Sequence, residues 1–123
     1  MSLSLLIVDD ELTSRDALAR LLAAHGYEIR TAADSQEAMR EMANAAADTV
    51  LLDIDLPHVP GDSFATFLNI RYPKARIIFM SGQYDMVAPE RFGEQTCYFR
   101  KPIDIDSLLE ILESNQPSAA NRE

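Results

Sequence analysis

The chain has 123 residues, the usual size of one domain, and its 47% apolar content is enough to build a core. Its formal charge of −9, from 20 acidic and 11 basic residues, disfavours direct nucleic-acid binding because it repels phosphate backbones. A single cysteine excludes an internal disulfide, and no apolar run is long enough for a membrane span, so we expect a cytoplasmic protein.

The first apolar run, Leu5–Val8, predicts a buried strand. Asp9, Asp10 and Glu11 follow it directly, and their negative charge suits the start of a helix over Leu12–Ala24. Helical spacing places one group of side chains on the buried face of that helix: Leu18, Leu21 and Leu22.

Gly26 is expected to end this helix in a left-handed conformation. Tyr27–Ala32 then predicts a second strand, partly polar and therefore near an edge of the sheet. Asp34 and Glu37 have the spacing of a capping box at the start of a second helix. We expect that helix to bury Ala38, Met39 and Met42.

A third strand, Thr49–Asp53, is apolar until it ends in a carboxylate. Pro57, Pro60 and Gly61 then turn the chain, and a helix is predicted from Asp62 to about Tyr72. Its expected buried side chains are Phe64, Phe67 and Leu68.

Two further strands, Arg76–Met80 and Cys97–Phe99, run directly into Ser81-Gly82 and Arg100-Lys101-Pro102. Between them, residues 83–96 predict only a short or distorted helix, because Pro89 would interrupt it. Asp104 is expected to cap a last helix, and residues 115–123 are read as a polar tail or linker. The buried side chains predicted for the last helix are Leu108, Leu109, Ile111 and Leu112.

Five alternating strand–helix units predict a doubly wound α/β fold with a parallel sheet. Since parallel strands end at one edge, Asp9, Asp10, Asp53, Ser81 and Lys101 should converge there. Clustered carboxylates repel one another and favour a hard cation such as Mg²⁺, with Mn²⁺ as an alternative. Together with the lysine and the hydroxyl, these groups could hold a phosphoryl group on Asp53.

Four motifs, in this order and on these elements, resemble the receiver domain of bacterial two-component response regulators over residues 3–114. They are Val8-Asp9-Asp10-Glu11, Leu51-Leu52-Asp53 with Pro57 and Gly61, Met80-Ser81-Gly82, and Tyr98-Phe99-Arg100-Lys101-Pro102. The resemblance implies a flavodoxin-like fold with strand order 2-1-3-4-5. It also implies phosphorelay signalling, with a histidine kinase or phosphotransfer protein as the donor and an effector domain or output protein as the receiver of the signal.

The resemblance assigns roles to particular residues. Asp53 would be the phosphoacceptor, while Asp10 and Asp53 would ligate Mg²⁺ directly, Asp9 through water, and Asp55 through its backbone carbonyl. Lys101 would pair with the phosphoryl group, and its bond to Pro102 would be cis. Conformational switching would pass through Ser81 and Tyr98. No separate substrate turnover is expected, so we interpret the domain as a signalling module and not as an enzyme.

An alternative function belongs to another class. Asp53-Ile54-Asp55 also resembles the nucleophile loop of haloacid-dehalogenase phosphatases, in which Asp53 would be the nucleophile and Asp55 the acid/base. Pro57 lies where that family has threonine or valine, and the motif follows the third strand instead of the first. Turnover of an aryl phosphate would distinguish such an enzyme from a domain that is phosphorylated stoichiometrically.

Overall fold

The computed structural model describes residues 3–54, 61–82 and 97–114, and in them one parallel sheet has the order β2-β1-β3-β4-β5. The strands are β1 Ser4–Val8, β2 Glu28–Ala32, β3 Thr49–Asp53, β4 Arg76–Ser81 and β5 Cys97–Arg100. The helices are α1 Leu12–Ala24, α2 Ser35–Asn44, α3 Gly61–Arg71 and α4 Ile105–Ser114. The predicted fold class and strand order are confirmed. The helix predicted within residues 83–96 and the tail predicted for residues 115–123 lie outside the described residues.

The core has two layers, one on each face of the sheet. Leu6, Val50 and Phe79 point to the layer that α2 and α3 cover. Their strand neighbours Leu51 and Ile78 point to the layer that α1 and α4 cover. Every residue of β3 is buried, as expected for a central strand covered on both faces.

Local signals in the sequence set the ends of the helices. The Asp34 carboxylate accepts a hydrogen bond from the Glu37 N–H at 2.8 Å, and Glu37 in turn accepts one from the Ala33 N–H at 2.6 Å. The predicted capping box therefore forms, although Glu37 reaches one residue further back than is usual. Gly26 has φ of +96° just after α1, which confirms its predicted conformation.

The prediction of burial is wrong for three side chains. Leu21 is 45% exposed, Met39 39% and Phe67 41%. Each lies at the side of a buried stripe that is narrower than the apolar pattern, so it borders the core without entering it. Phe67 is partly covered because its ring stacks on that of buried Phe64, with 6.0 Å between the ring centroids. In α4, Leu108 and Leu112 are buried, whereas Leu109 and Ile111 are only partly buried.

The register of the sheet brings the carboxyl ends of the strands level. Val8 of β1 lies beside both Ala32 and Leu52, and Asp53 lies beside Met80. Lys101 follows β5 directly, and its N–H donates to the Ser81 carbonyl at 2.8 Å. Residues that are far apart in the sequence therefore meet at this edge.

Candidate functional site

Three aspartates converge at the carboxyl edge of the sheet. One carboxylate oxygen from each of Asp9, Asp10 and Asp53 lies within 4.8 Å of the others. Asp9 and Asp53 are 1% and 3% exposed, whereas Asp10 is exposed to solvent. Two carboxylates are therefore removed from water beside a third that solvent reaches, which is an environment that favours a bound cation.

Lys101 joins the two buried carboxylates. Its Nζ lies 2.7 Å from Asp9 Oδ2 and 3.0 Å from Asp53 Oδ2. Burial alone would lower the pKa of the Lys101 ammonium, but the hydrogen bonds and charges of Asp9 and Asp53 outweigh this and raise it. Lys101 is thus a positive charge in direct contact with Asp53.

Asp9 is held by main-chain groups as well as by Lys101. Its Oδ1 accepts a hydrogen bond from the Glu11 N–H at 3.0 Å, and its own N–H donates to the Ala32 carbonyl at 3.1 Å. Both carboxylate oxygens of Asp9 therefore already have a protein donor. The orientation of the Asp9 carboxylate is therefore fixed by the main chain and by Lys101.

The donor set fits a hard divalent ion. Asp9, Asp10 and Asp53 offer only oxygen atoms, which suits Mg²⁺ or Mn²⁺ and contrasts with the nitrogen and sulfur ligands typical of structural zinc. The predicted fourth ligand, the backbone carbonyl of Asp55, lies outside the described residues.

Ser81 and Tyr98 lie on neighbouring strands. Ser81 is fully buried at the end of β4, and Tyr98 of β5 lies beside Phe79. Tyr98 packs against the core layer below α2 and α3, and its buried hydroxyl has no hydrogen-bond partner within the described part of the chain. The Tyr98 side chain therefore lies on the face of the sheet that α2 and α3 cover.

Sequence reasoning did not single out Arg15, which also reaches the site. The Arg15 guanidinium, at the end of the first turn of α1, donates to the backbone carbonyl of Asp9 at 2.7 Å. An arginine within a helix pattern resembles any solvated charge, so no sequence signal indicated this contact.

The peptide bond between Lys101 and Pro102 is cis, as predicted.

A groove of about 340 Å³ opens beside Lys101, between α1 and the chain that follows β5. Its lining is mostly apolar and includes Leu18, Leu21, Met80 and Ile103.

No helix in the described residues is both long enough and apolar enough to cross a membrane.

The family model of the response regulator receiver domain matches residues 5–113. The chain belongs to this family. A receiver domain is a signalling domain of two-component systems.

Two curated relatives contain the matching region in different contexts. It is 32% identical to the DNA-binding transcriptional regulator NtrC of Azospirillum brasilense, with 95% of this chain but only 26% of that protein covered. It is 28% identical to sporulation initiation phosphotransferase F of Bacillus subtilis, with 98% and 99% covered. The chain thus spans about a quarter of the first relative and nearly all of the second.

Solved structures support the same assignment. A CheY-like receiver domain protein from Methanospirillum hungatei superposes with a TM-score of 0.83 at 27% identity, covering 92% of each chain.

Proposed function

We propose that this receiver domain accepts a phosphoryl group on Asp53 in a Mg²⁺-dependent reaction. The observation that carries the proposal is the contact between Lys101 Nζ and Asp53 Oδ2 at 3.0 Å, beside two further carboxylates. The donor is a phosphohistidine on a histidine kinase or phosphotransfer protein, and the recipient of the signal is an effector domain or output protein. The domain acts in the cytoplasm, and its own surface does not bind nucleic acid.

The chemistry requires little besides positioning and charge. An Asp53 carboxylate oxygen attacks phosphorus, the new O–P bond forms as the P–N bond of the phosphohistidine breaks, and the imidazole leaves with a proton from solvent. Lys101 exchanges its hydrogen bond with Asp53 for one with a phosphoryl oxygen, and the Ser81 hydroxyl donates a second.

The metal would be held by Asp10 and Asp53 directly, by Asp9 through water and by the Asp55 carbonyl. When bound, Mg²⁺ supplies positive charge that offsets the negative charge of the transferring group. Occupation of the site relieves the mutual repulsion of the three carboxylates.

Switching follows from Ser81 and Tyr98. Movement of Ser81 toward the phosphoryl group changes the space beside Tyr98, whose buried hydroxyl has no hydrogen-bond partner in the described residues. A buried polar group without a partner costs roughly 1–3 kcal/mol, so a small rearrangement that provides one is favoured. Phosphorylation is thereby coupled to conformation, with no separate substrate turned over.

The test is labelling with acetyl phosphate and Mg²⁺, followed by intact-mass measurement. We expect one phosphoryl group on the wild type and none on Asp53→Asn. Asp34→Asn is the matched control, because Asp34 lies at the same edge but caps α2, and asparagine caps equally well. Equal labelling of Asp53→Asn would overturn the assignment. Multiple turnover of an aryl phosphate would instead favour the alternative function as a phosphatase, with Asp55 as acid/base.

A second arm tests whether the donor is a protein. The apolar groove beside Lys101 offers a surface for such a donor, and Leu21 lines it while 45% exposed. Leu21→Glu should slow labelling by a phosphorylated phosphotransfer protein but leave labelling by acetyl phosphate unchanged. Ile70→Glu, at a more exposed position on the opposite side of the sheet, should alter neither. Equal slowing of both donors by Leu21→Glu would contradict this placement.

A further inference from the structure

Asp9 is bonded at every polar position it has. Besides its N–H and its two carboxylate oxygens, its backbone carbonyl accepts a hydrogen bond from Arg15 at 2.7 Å. The Arg15 bond ties a side chain of α1 to the turn that joins β1 to α1 and carries Asp9 and Asp10, in addition to the bond from the Glu11 N–H to the Asp9 carboxylate. That turn must hold two carboxylates close to Asp53 although all three repel one another.

Arg15 differs from the next arginine on the same helix. The side chain of Arg20 is 80% exposed and pairs with Asp16, one turn away on α1. Arg15 is half-buried, and its hydrogen bond leaves the helix for the end of β1. A local contact on the helix surface therefore contrasts with a contact that fixes the strand-to-helix turn.

We propose that Arg15 is a positioning residue for the divalent cation. By holding the Asp9 carbonyl, it keeps the turn in the conformation in which the carboxylates of Asp9, Asp10 and Asp53 converge. This inference rests on the proposed Mg²⁺-dependent function. It assigns Arg15 to preorganisation of the metal site and not to contact with the phosphoryl group.

Two effects of Arg15 on Mg²⁺ oppose each other, and two substitutions separate them. The guanidinium charge repels the cation, whereas the hydrogen bond preorganises its ligands. Arg15→Lys keeps the charge but replaces the planar, forked donor with a shorter side chain carrying a point charge, so only the bond is weakened. Arg15→Met removes both effects, so part of the loss is recovered through weaker repulsion.

The experiment is a Mg²⁺ titration of the folded 123-residue chain, followed by amide NMR shifts. We expect Mg²⁺ affinity to fall in the order wild type, Arg15→Met, Arg15→Lys, with Arg15→Lys roughly tenfold weaker than wild type. Arg20→Lys and Arg20→Met are the controls and should match the wild type. Thermal melts without Mg²⁺ report stability separately, because a purely structural role would lower the melting temperature and leave the dissociation constant unchanged.

Several outcomes would overturn the inference. If Arg15→Lys binds Mg²⁺ like the wild type and Arg15→Met binds it more tightly, Arg15 acts through charge alone. If both variants bind like the wild type, Arg15 has no role in positioning. If the wild type itself shows no saturable Mg²⁺ binding, the proposed function fails first, which distinguishes the two failures.

Discussion

The two ends of the sheet each hold a half-buried basic side chain, and the two side chains have different kinds of partner. At the carboxyl edge, Lys101 lies between the carboxylates of Asp9 and Asp53. At the amino edge, Arg76 begins β4 and donates to the carbonyls of Ile111 and Leu112, at 3.0 and 3.4 Å, in the last turn of α4. We call the carboxyl edge the reactive end, because the proposed function requires its ion pairs to change partner. We call the amino edge the structural end, because Arg76 there bonds the carbonyls of a helix.

A second arginine also bonds the end of a helix. Arg30 of β2 donates to the carbonyls of Glu41 and Ala45 at the end of α2, and it differs from Arg76 in also pairing with the Glu41 carboxylate at 3.1 Å. Neither α2 nor α4 has a basic residue in its own last turn. Arginines from the strands therefore provide the positive charge and the donors that a helix C-terminus favours.

The largest effect is expected from replacing Lys101. Lys101→Met leaves two buried carboxylates without their cation, so we expect unfolding free energy to fall by roughly 3 kcal/mol without Mg²⁺. Added Mg²⁺ should recover more stability in this variant than in the wild type, because the ion neutralises the same carboxylates. Urea unfolding with and without millimolar Mg²⁺ measures both, with Lys74→Met, at an exposed lysine, as the control. An equal gain from Mg²⁺ in the variant and the wild type would contradict this reading of the reactive end.

At the opposite end, Arg76→Met should cost about 2 kcal/mol, since two helix carbonyls lose a charged donor. This loss should not depend on Mg²⁺, because no described carboxylate of the metal cluster contacts Arg76. Hydrogen exchange should increase in the last turn of α4 and not beside Asp53. Arg20→Met, which removes an exposed arginine, should stay close to the wild type. A Mg²⁺-dependent loss in Arg76→Met would show that the two ends are coupled.

The sequence predicted the reactive end better than the structural end. Asp9, Asp53, Ser81 and Lys101 each follow an apolar run, and the parallel topology then requires their convergence. The metal-binding and phosphorylation roles of these residues stay predictions, whereas the structure does bring the aspartates and Lys101 together at one edge. The capping box of Asp34 and Glu37 was also predictable, because each of its two hydrogen bonds joins residues no more than four apart.

The contacts of Arg15, Arg30 and Arg76 were not predictable in this way. Arg76 bonds carbonyls 35 and 36 residues away, and any carbonyl looks the same in a sequence. The exposure of Met39 and Phe67 was missed for a related reason. Helical periodicity gives the direction of an apolar face, but the width of the neighbouring element decides how much of that face is covered.

The smallest expected effect is a dependence of stability on pH through Cys97. Near Arg76, burial raises the pKa of the Cys97 thiol above its usual value of 9.0, although the guanidinium charge partly lowers it again. A raised pKa means that the folded state keeps a proton that the unfolded chain releases. The resulting stability is present below about pH 9 and is lost as pH rises through the folded-state pKa.

We therefore expect the unfolding free energy of the wild type to fall above about pH 9, with Cys97 contributing at most about 1.4 kcal/mol per pH unit. Cys97→Ala should be slightly less stable at neutral pH, because it removes a buried side chain, yet lose less stability with rising pH. Tyr27, whose pKa burial also raises, is present in both proteins, so its contribution cancels in the difference. Urea unfolding at a series of alkaline pH values measures the two slopes. Parallel slopes would mean that the thiol ionises equally well in the folded and unfolded chain, and that this end of the sheet admits more water than its contacts imply.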